Sequence, residues 1–204
     1  MNGAVPRSDP AAAWPLDDGQ PLRDELLVAY ADPARGYHDT LHLTEVLARI
    51  RTLAEAGETF AELPVLLAAW FHDSVYDGER DAEERSAAWA EEALPALVGD
   101  EVTAEVARLV RLTETHRPED GDRNGFVLSD ADLGILAAEP ERYRGYVAAV
   151  RAEYAHLDDV TFTAGRRLVL EDLLAKPRLF HTATAFSLWE DDARANATAE
   201  LGNY

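Results

Sequence analysis

Apolar residues return along this chain with the period of a helix. Between residues 101 and 116, Val102, Val106, Leu109, Val110 and Thr113 fall at i, i+4, i+7, i+8 and i+11, along one face of a 3.6-residue repeat. No stretch alternates with period two, as a half-buried strand would. Comparable patterns predict helices over about 21–31, 39–56, 64–77, 80–94, 101–116, 126–138, 140–156, 163–175 and 178–200. The residues between them are those that end helices: Pro33 with Gly36, Gly57, Pro64, Asp77-Gly78, Pro95, Gly99-Asp100, the polar run Arg117 to Gly125, Pro140 and Pro177. Leu63 to Phe71 (LPVLLAAWF) is apolar on every side and is expected at the centre of the molecule. Residues 1–20 carry Pro6, Pro10, Pro15 and Gly19 without an apolar period, so a loose arm is expected there, with Trp14 available to pin it to the body. The expected fold class is all-α: a compact multi-helix bundle forming one domain over 21–204, with no internal repeat.

Composition narrows the chemistry. The 204 residues carry 19 Lys and Arg against 39 Asp and Glu, a formal charge of 19 − 39 = −20, and Lys176 is the only lysine. Long nucleic acids are therefore not expected partners, because their binding depends on cationic side chains displacing phosphate counterions. No run reaches the roughly 20 apolar residues of a membrane helix, and MNGAVPRSDP lacks the basic and apolar regions of a signal peptide, so a soluble, cytoplasmic protein is expected. There is no cysteine, which leaves nitrogen and oxygen as the only donors for a metal. The apolar helix faces can be buried within one chain or across a homodimer.

Three short patterns concentrate ionisable groups beside apolar sequence. His72-Asp73 follows the apolar helix directly, where charge is costly unless paired or bound to metal; a histidine bonded to a carbonyl beside a capping aspartate would also account for it. His38 and His42, in YHDTLH, are spaced to share one helix face, a spacing used for metal ligation and also by core histidines. Asp130 and Asp132 interrupt FVLSDADLGILAA; either can serve as a ligand, and a helix cap or a favourable first-turn charge is the plainer role. Asp77 is placed one helical turn beyond Asp73, and Glu84 shares its segment with Glu83, Glu91 and Glu92, where glutamates commonly form a solvated face.

The order His42, His72-Asp73, Asp132 resembles the HD superfamily of metal-dependent phosphohydrolases, and most closely a bacterial subgroup of small HD phosphohydrolases. The likeness runs from about Tyr37 to Leu201 through YHDTLH, AAWFHDSVYD, EERSA, TETH, SDADL, VRAEY and ARANATAEL. It implies an all-helical core holding one or two divalent ions through His42, His72, Asp73 and Asp132, with Asp130 as the alternative last ligand. The donors suit Mn, Fe, Zn, Co or Ni better than Mg. It further implies hydrolysis of a phosphate ester of a small metabolite or nucleotide by metal-activated water. Asp73, Asp77, Glu84 and His116 are then the candidate catalytic groups. His38, Arg151 and Arg194, with Arg35 as a further cation, are the candidate contacts to the small phosphorylated substrate, although Arg151 and Glu153 can equally tie helices together. Two other functions fit the same residues. One is a di-iron oxygenase using His38 and His116 as extra ligands, and the other is a non-catalytic metal-binding or sensing domain.

Overall fold

The structure, a computed structural model, describes residues 9–204, and among these there are ten α-helices and no strand. They are α1 (Gln20–Tyr30), α2 (Thr40–Glu55), α3 (Glu62–Phe71), α4 (Ala82–Ala93), α5 (Pro95–Val98), α6 (Asp100–Leu112), α7 (Arg123–Leu133), α8 (Pro140–Glu153), α9 (Asp159–Ala175) and α10 (Ala183–Leu201). Among the described residues no helix is long and apolar enough to cross a membrane. The apolar segment becomes α3 and packs against α2, α4, α6 and α7, as its all-round apolarity requires. Val65, Leu67, Ala68, Ala69, Trp70 and Phe71 lose all contact with solvent; for the larger of these side chains burial contributes about 1.5–3 kcal/mol apiece.

Several helix starts are set by side chains that accept the free N–H groups of the first turn. Asp39, Asp122, Asp158 and Thr182 do this for α2, α7, α9 and α10. Of the expected arm, residues 1–8 lie outside the described residues. Trp14 meets Trp70 edge-on with ring centroids 5.1 Å apart, and its indole N–H donates to the Asp18 carbonyl at 3.0 Å.

Two of the places where a helix is shorter than its sequence pattern predicts shape the site. The pattern carries the third helix to residue 77, but α3 stops at Phe71. Beyond it, the Arg35 guanidinium donates to the Asp73 and Ser74 carbonyls at 2.7 and 3.0 Å. The Asp73 amide donates to the Tyr30 hydroxyl, and the Val75 amide to Ser86 Oγ. Backbone groups that would continue a helix are thus bound by three distant segments. Similarly, α10 begins at Ala183 rather than 178. The Leu179 and Phe180 amides donate to Glu190, and those of His181 and Thr182 to Asp130, which holds this stretch as an extended strap.

Candidate metal centre

His42, His72, Asp73 and Asp132 meet where α2, the end of α3 and α7 converge. His42 Nε2 lies 2.9 Å from His72 Nε2, 3.1 Å from Asp73 Oδ2 and 3.3 Å from Asp132 Oδ1. His72 Nε2 lies 3.1 Å from the same Asp73 oxygen and 3.8 Å from Asp132 Oδ1. Metal bonds of about 2.1 Å meeting at right angles separate neighbouring donors by about 3.0 Å, close to these spacings. The buried His42, His72 and Asp73 group could hold a metal ion, and Asp132 approaches from the side as a further oxygen.

Each imidazole is aimed by a second contact. His72 Nδ1–H donates to the Ala69 carbonyl at 2.8 Å, which directs Nε2 inward, and the Tyr37 hydroxyl sits 2.9 Å from His42 Nδ1. Tyr37 is in turn set by Glu153 on α8. One Glu153 oxygen accepts the amides of Gly36, Tyr37 and His38 at 3.0, 2.7 and 2.9 Å, and the other is 2.8 Å from His38 Nδ1. Glycine is required at 36 because a Cβ there would overlap the Ala149 carbonyl oxygen on α8. The polar interior also shifts proton affinities. Burial disfavours a charged His72, but the Asp73 and Asp132 carboxylates outweigh it and raise its pKa to about 9. Burial opposes ionisation of Asp73, and the facing His72 and His38 rings reverse this and hold its carboxyl well below the usual range. Both shifts favour positive charge between the carboxylates, which a divalent ion would supply.

Other predicted site residues divide into those at the cluster and those away from it. His116 Nε2 lies 3.5 Å from Asp132 Oδ2, its Nδ1 is buried with no hydrogen-bond partner, and its φ of 49° places it in the left-handed region. His38 precedes α2, so it does not share a helix face with His42 as the spacing predicts. It stacks on Tyr76 with centroids 4.0 Å apart, and its ring is 5.5 Å from that of His42. Asp130 is buried with both carboxylate oxygens taken by the His181 and Thr182 amides at 2.7 Å, and burial raises its pKa to about 6. It anchors the strap before α10, and Asp132 is the aspartate at the cluster.

Four of the expected site residues lie away from the cluster. Asp77 is not on a helical turn continuing from Asp73; it lies in the loop after α3, half exposed, and forms a two-pronged ion pair with Arg85. Glu84 faces solvent and pairs with Arg111 at 2.6 and 2.7 Å. Arg151 binds the carbonyls of Tyr154 and Leu157 and the Asp159 carboxylate, closing the end of α8. Arg194 binds Glu190 and the Leu174 and Lys176 carbonyls at the end of α9. Neither arginine lines the cavity at the cluster. Arg35 lies behind the site and holds backbone carbonyls.

That cavity has two adjoining lobes of about 440 and 570 Å³, whose walls share Tyr37, His38, His116, Asp132, Tyr146 and Arg166. Glu83, adjacent in sequence to Glu84, lines the smaller lobe. Arg166, on α9, is the cation that sequence reasoning missed. Glu200 binds it at 2.7 and 3.0 Å, and the two side chains are only 8% and 4% exposed. Lys176 lines the larger lobe and approaches the Thr115 and His116 carbonyls at 3.4 Å. No local pattern distinguishes Glu83 from Glu84 or Arg166 from Arg167, because both pairs are neighbours on exposed helices. Comparison with protein-family models, with curated proteins and with solved structures yields no match.

Proposed function

We propose that this protein is a metal-dependent phosphohydrolase that cleaves a phosphate ester of a small metabolite or nucleotide. The observation that supports this reading is the convergence of two imidazole Nε2 atoms and two carboxylates at one end of an open cavity. The donor set fits the implied ion. His72 and His42 present Nε2 with Nδ1 already engaged, and Asp73 and Asp132 supply hard oxygens. When bound there, a divalent ion polarises a phosphoryl oxygen and lowers the pKa of water from 15.7 toward about 7.

The chain's own residues do the remaining work. Asp73 lies between the two imidazoles and can accept a hydrogen bond from the attacking water, orienting it toward phosphorus. His116 lines the cavity with Nε2 3.5 Å from Asp132 Oδ2 and can bind the substrate's phosphoryl group there. Water oxygen bonds to phosphorus as the ester P–O bond breaks, and the proton that the water gives up passes to the departing oxygen. The products are the alcohol and inorganic phosphate.

A phosphatase screen across Mn, Fe, Zn, Co, Ni and Mg tests the reading, with Asp73→Ala as control. Activity that depends on a transition metal and falls at least 100-fold in the variant is expected. Full activity in a correctly folded Asp73→Ala protein, or none with any ester, contradicts it. The position of His116 beside Asp132 favours one second reading, oxygen chemistry at a two-iron centre. Two irons per chain together with no phosphatase activity would select that reading.

A further inference from the structure

We propose that the cavity selects a phosphate monoester whose alcohol carries an aromatic ring. This inference rests on the phosphohydrolase reading and names the organic half of its substrate. Four of the chain's seven tyrosines, Tyr37, Tyr76, Tyr146 and Tyr154, line the smaller lobe together with Phe162. Tyr37, Tyr146 and Phe162 are buried in the core, whereas Tyr76 and Tyr154 leave ring surface open toward the cavity.

The rings form a connected set: Tyr146 meets Tyr37 edge-on at 4.6 Å, Tyr37 meets His38 at 4.9 Å, and His38 stacks on Tyr76 at 4.0 Å beside Asp73. Tyr76 is the outer ring of this set, with its second face free of any other ring contact among the described residues. Tyr154 and Phe162 meet at 44° with centroids 6.0 Å apart on the part of the wall contributed by the α8 end and α9. Tyr154 is 38% exposed and Val169, also in the wall, is 50% exposed, so apolar surface is left open at the cavity entrance. A flat apolar group fits such walls, since aromatic pairs gain from offset or edge contact at 4.5–7 Å.

Charge argues in the same direction. Among the described residues Arg166 is the one arginine or lysine lining this lobe, and Glu200 already binds it through two hydrogen bonds. Glu83 brings a half-buried carboxylate with no ion pair or side-chain hydrogen bond among the described residues. Lys176 lines the other lobe, so this one is poorly suited to additional phosphates, and contact with the rings supplies affinity for the organic half.

Calorimetry with two non-hydrolysable probes, benzylphosphonate and ethylphosphonate, tests this on the full chain loaded with Mn²⁺. At least tenfold tighter binding of benzylphosphonate is expected, about one ring contact's worth. Tyr76→Leu and Tyr154→Leu, which keep bulk but remove a ring that lines the lobe, should each reduce that ratio to threefold or less. Equal affinities, failure of both probes to bind, or a ratio untouched in both variants overturns the proposal. A parallel assay compares kcat/KM for benzyl and ethyl phosphate. Ring-selective binding without hydrolysis of either ester refutes the phosphohydrolase reading and leaves the ring-selective site standing; equal kcat/KM for the two esters overturns the selectivity.

Discussion

Glu153→Gln is the substitution that most sharply tests how the centre is positioned. The carboxylate is 4% exposed and accepts from three successive backbone amides and from His38, all within 3.0 Å. Burial opposes its ionisation, but the His38 ring and the amides outweigh that and hold its pKa below the usual range. A hydrogen bond to a charged group is worth about 1.5–3 kcal/mol and a neutral one about 0.5–1.5 kcal/mol, so neutralising this acceptor loses about 1 kcal/mol per bond. With the amide nitrogen set against the imidazole, the expected cost is about 3 kcal/mol, a large share of the roughly 5–15 kcal/mol typical of a domain. The damage should reach the metal as well. Glu153 sets Tyr37, and Tyr37 sets His42, so metal affinity should fall about 10- to 100-fold, the effect of losing a group that orients a ligand. Urea unfolding and a metal titration against a chromogenic chelator measure the two effects. A loss under 1 kcal/mol with metal affinity unchanged would show that Glu153 does not position the centre.

Further perturbations probe the scaffold and the corrected assignments. Gly36→Ala sets a methyl group against the Ala149 carbonyl and should cost about 1–3 kcal/mol, read as a lower urea midpoint. Glu200→Gln leaves Arg166 without its buried partner and should cost about 3–5 kcal/mol at pH 7. Burial opposes ionisation of Glu200, but Arg166 and the Tyr143 and Tyr204 hydroxyls lower its pKa. Its contribution is therefore present above the ordinary carboxyl range and lost as pH falls through the folded value. Urea curves of wild type and variant should begin to converge as pH falls below the ordinary carboxyl range of about 4. Arg151→Ala and Arg194→Ala, both outside the cavity, should keep kcat/KM within about threefold of wild type in the best assay found, and a 100-fold loss would place either arginine at the substrate.

Helical periodicity was readable wherever a helix has one dry face, and the apolar Leu63 to Phe71 segment identified its own central position. His72-Asp73 stood out because an ionisable pair directly after such a segment calls for a compensating partner, and His42 and Asp132 were joined to it by the resemblance to the HD superfamily. Less readable was everything decided by distant groups. Nothing near Phe71 shows that Arg35 and Tyr30 will bind the backbone of the following residues, so Asp77 was assigned to a helix turn that does not form. Asp130 and Asp132 carry equal weight as sequence, and only the strap at His181 and Thr182 reveals which one is occupied elsewhere. The choice between Glu83 and Glu84 depends on a single helical step of 100°. Arg111 resolves it by binding Glu84 on the outer face.

Metal content of the purified and metal-loaded chain, determined by elemental analysis, tests the central claim most directly. At least one divalent transition metal per chain is expected in wild type and in Asp130→Asn, whose carboxylate is committed to backbone amides. In His42→Ala, Asp73→Ala and Asp132→Ala it should fall below about one tenth per chain, with circular dichroism still helical. Full metal content in all three variants, or none in wild type after loading, would contradict the assignment of this cluster as a metal centre.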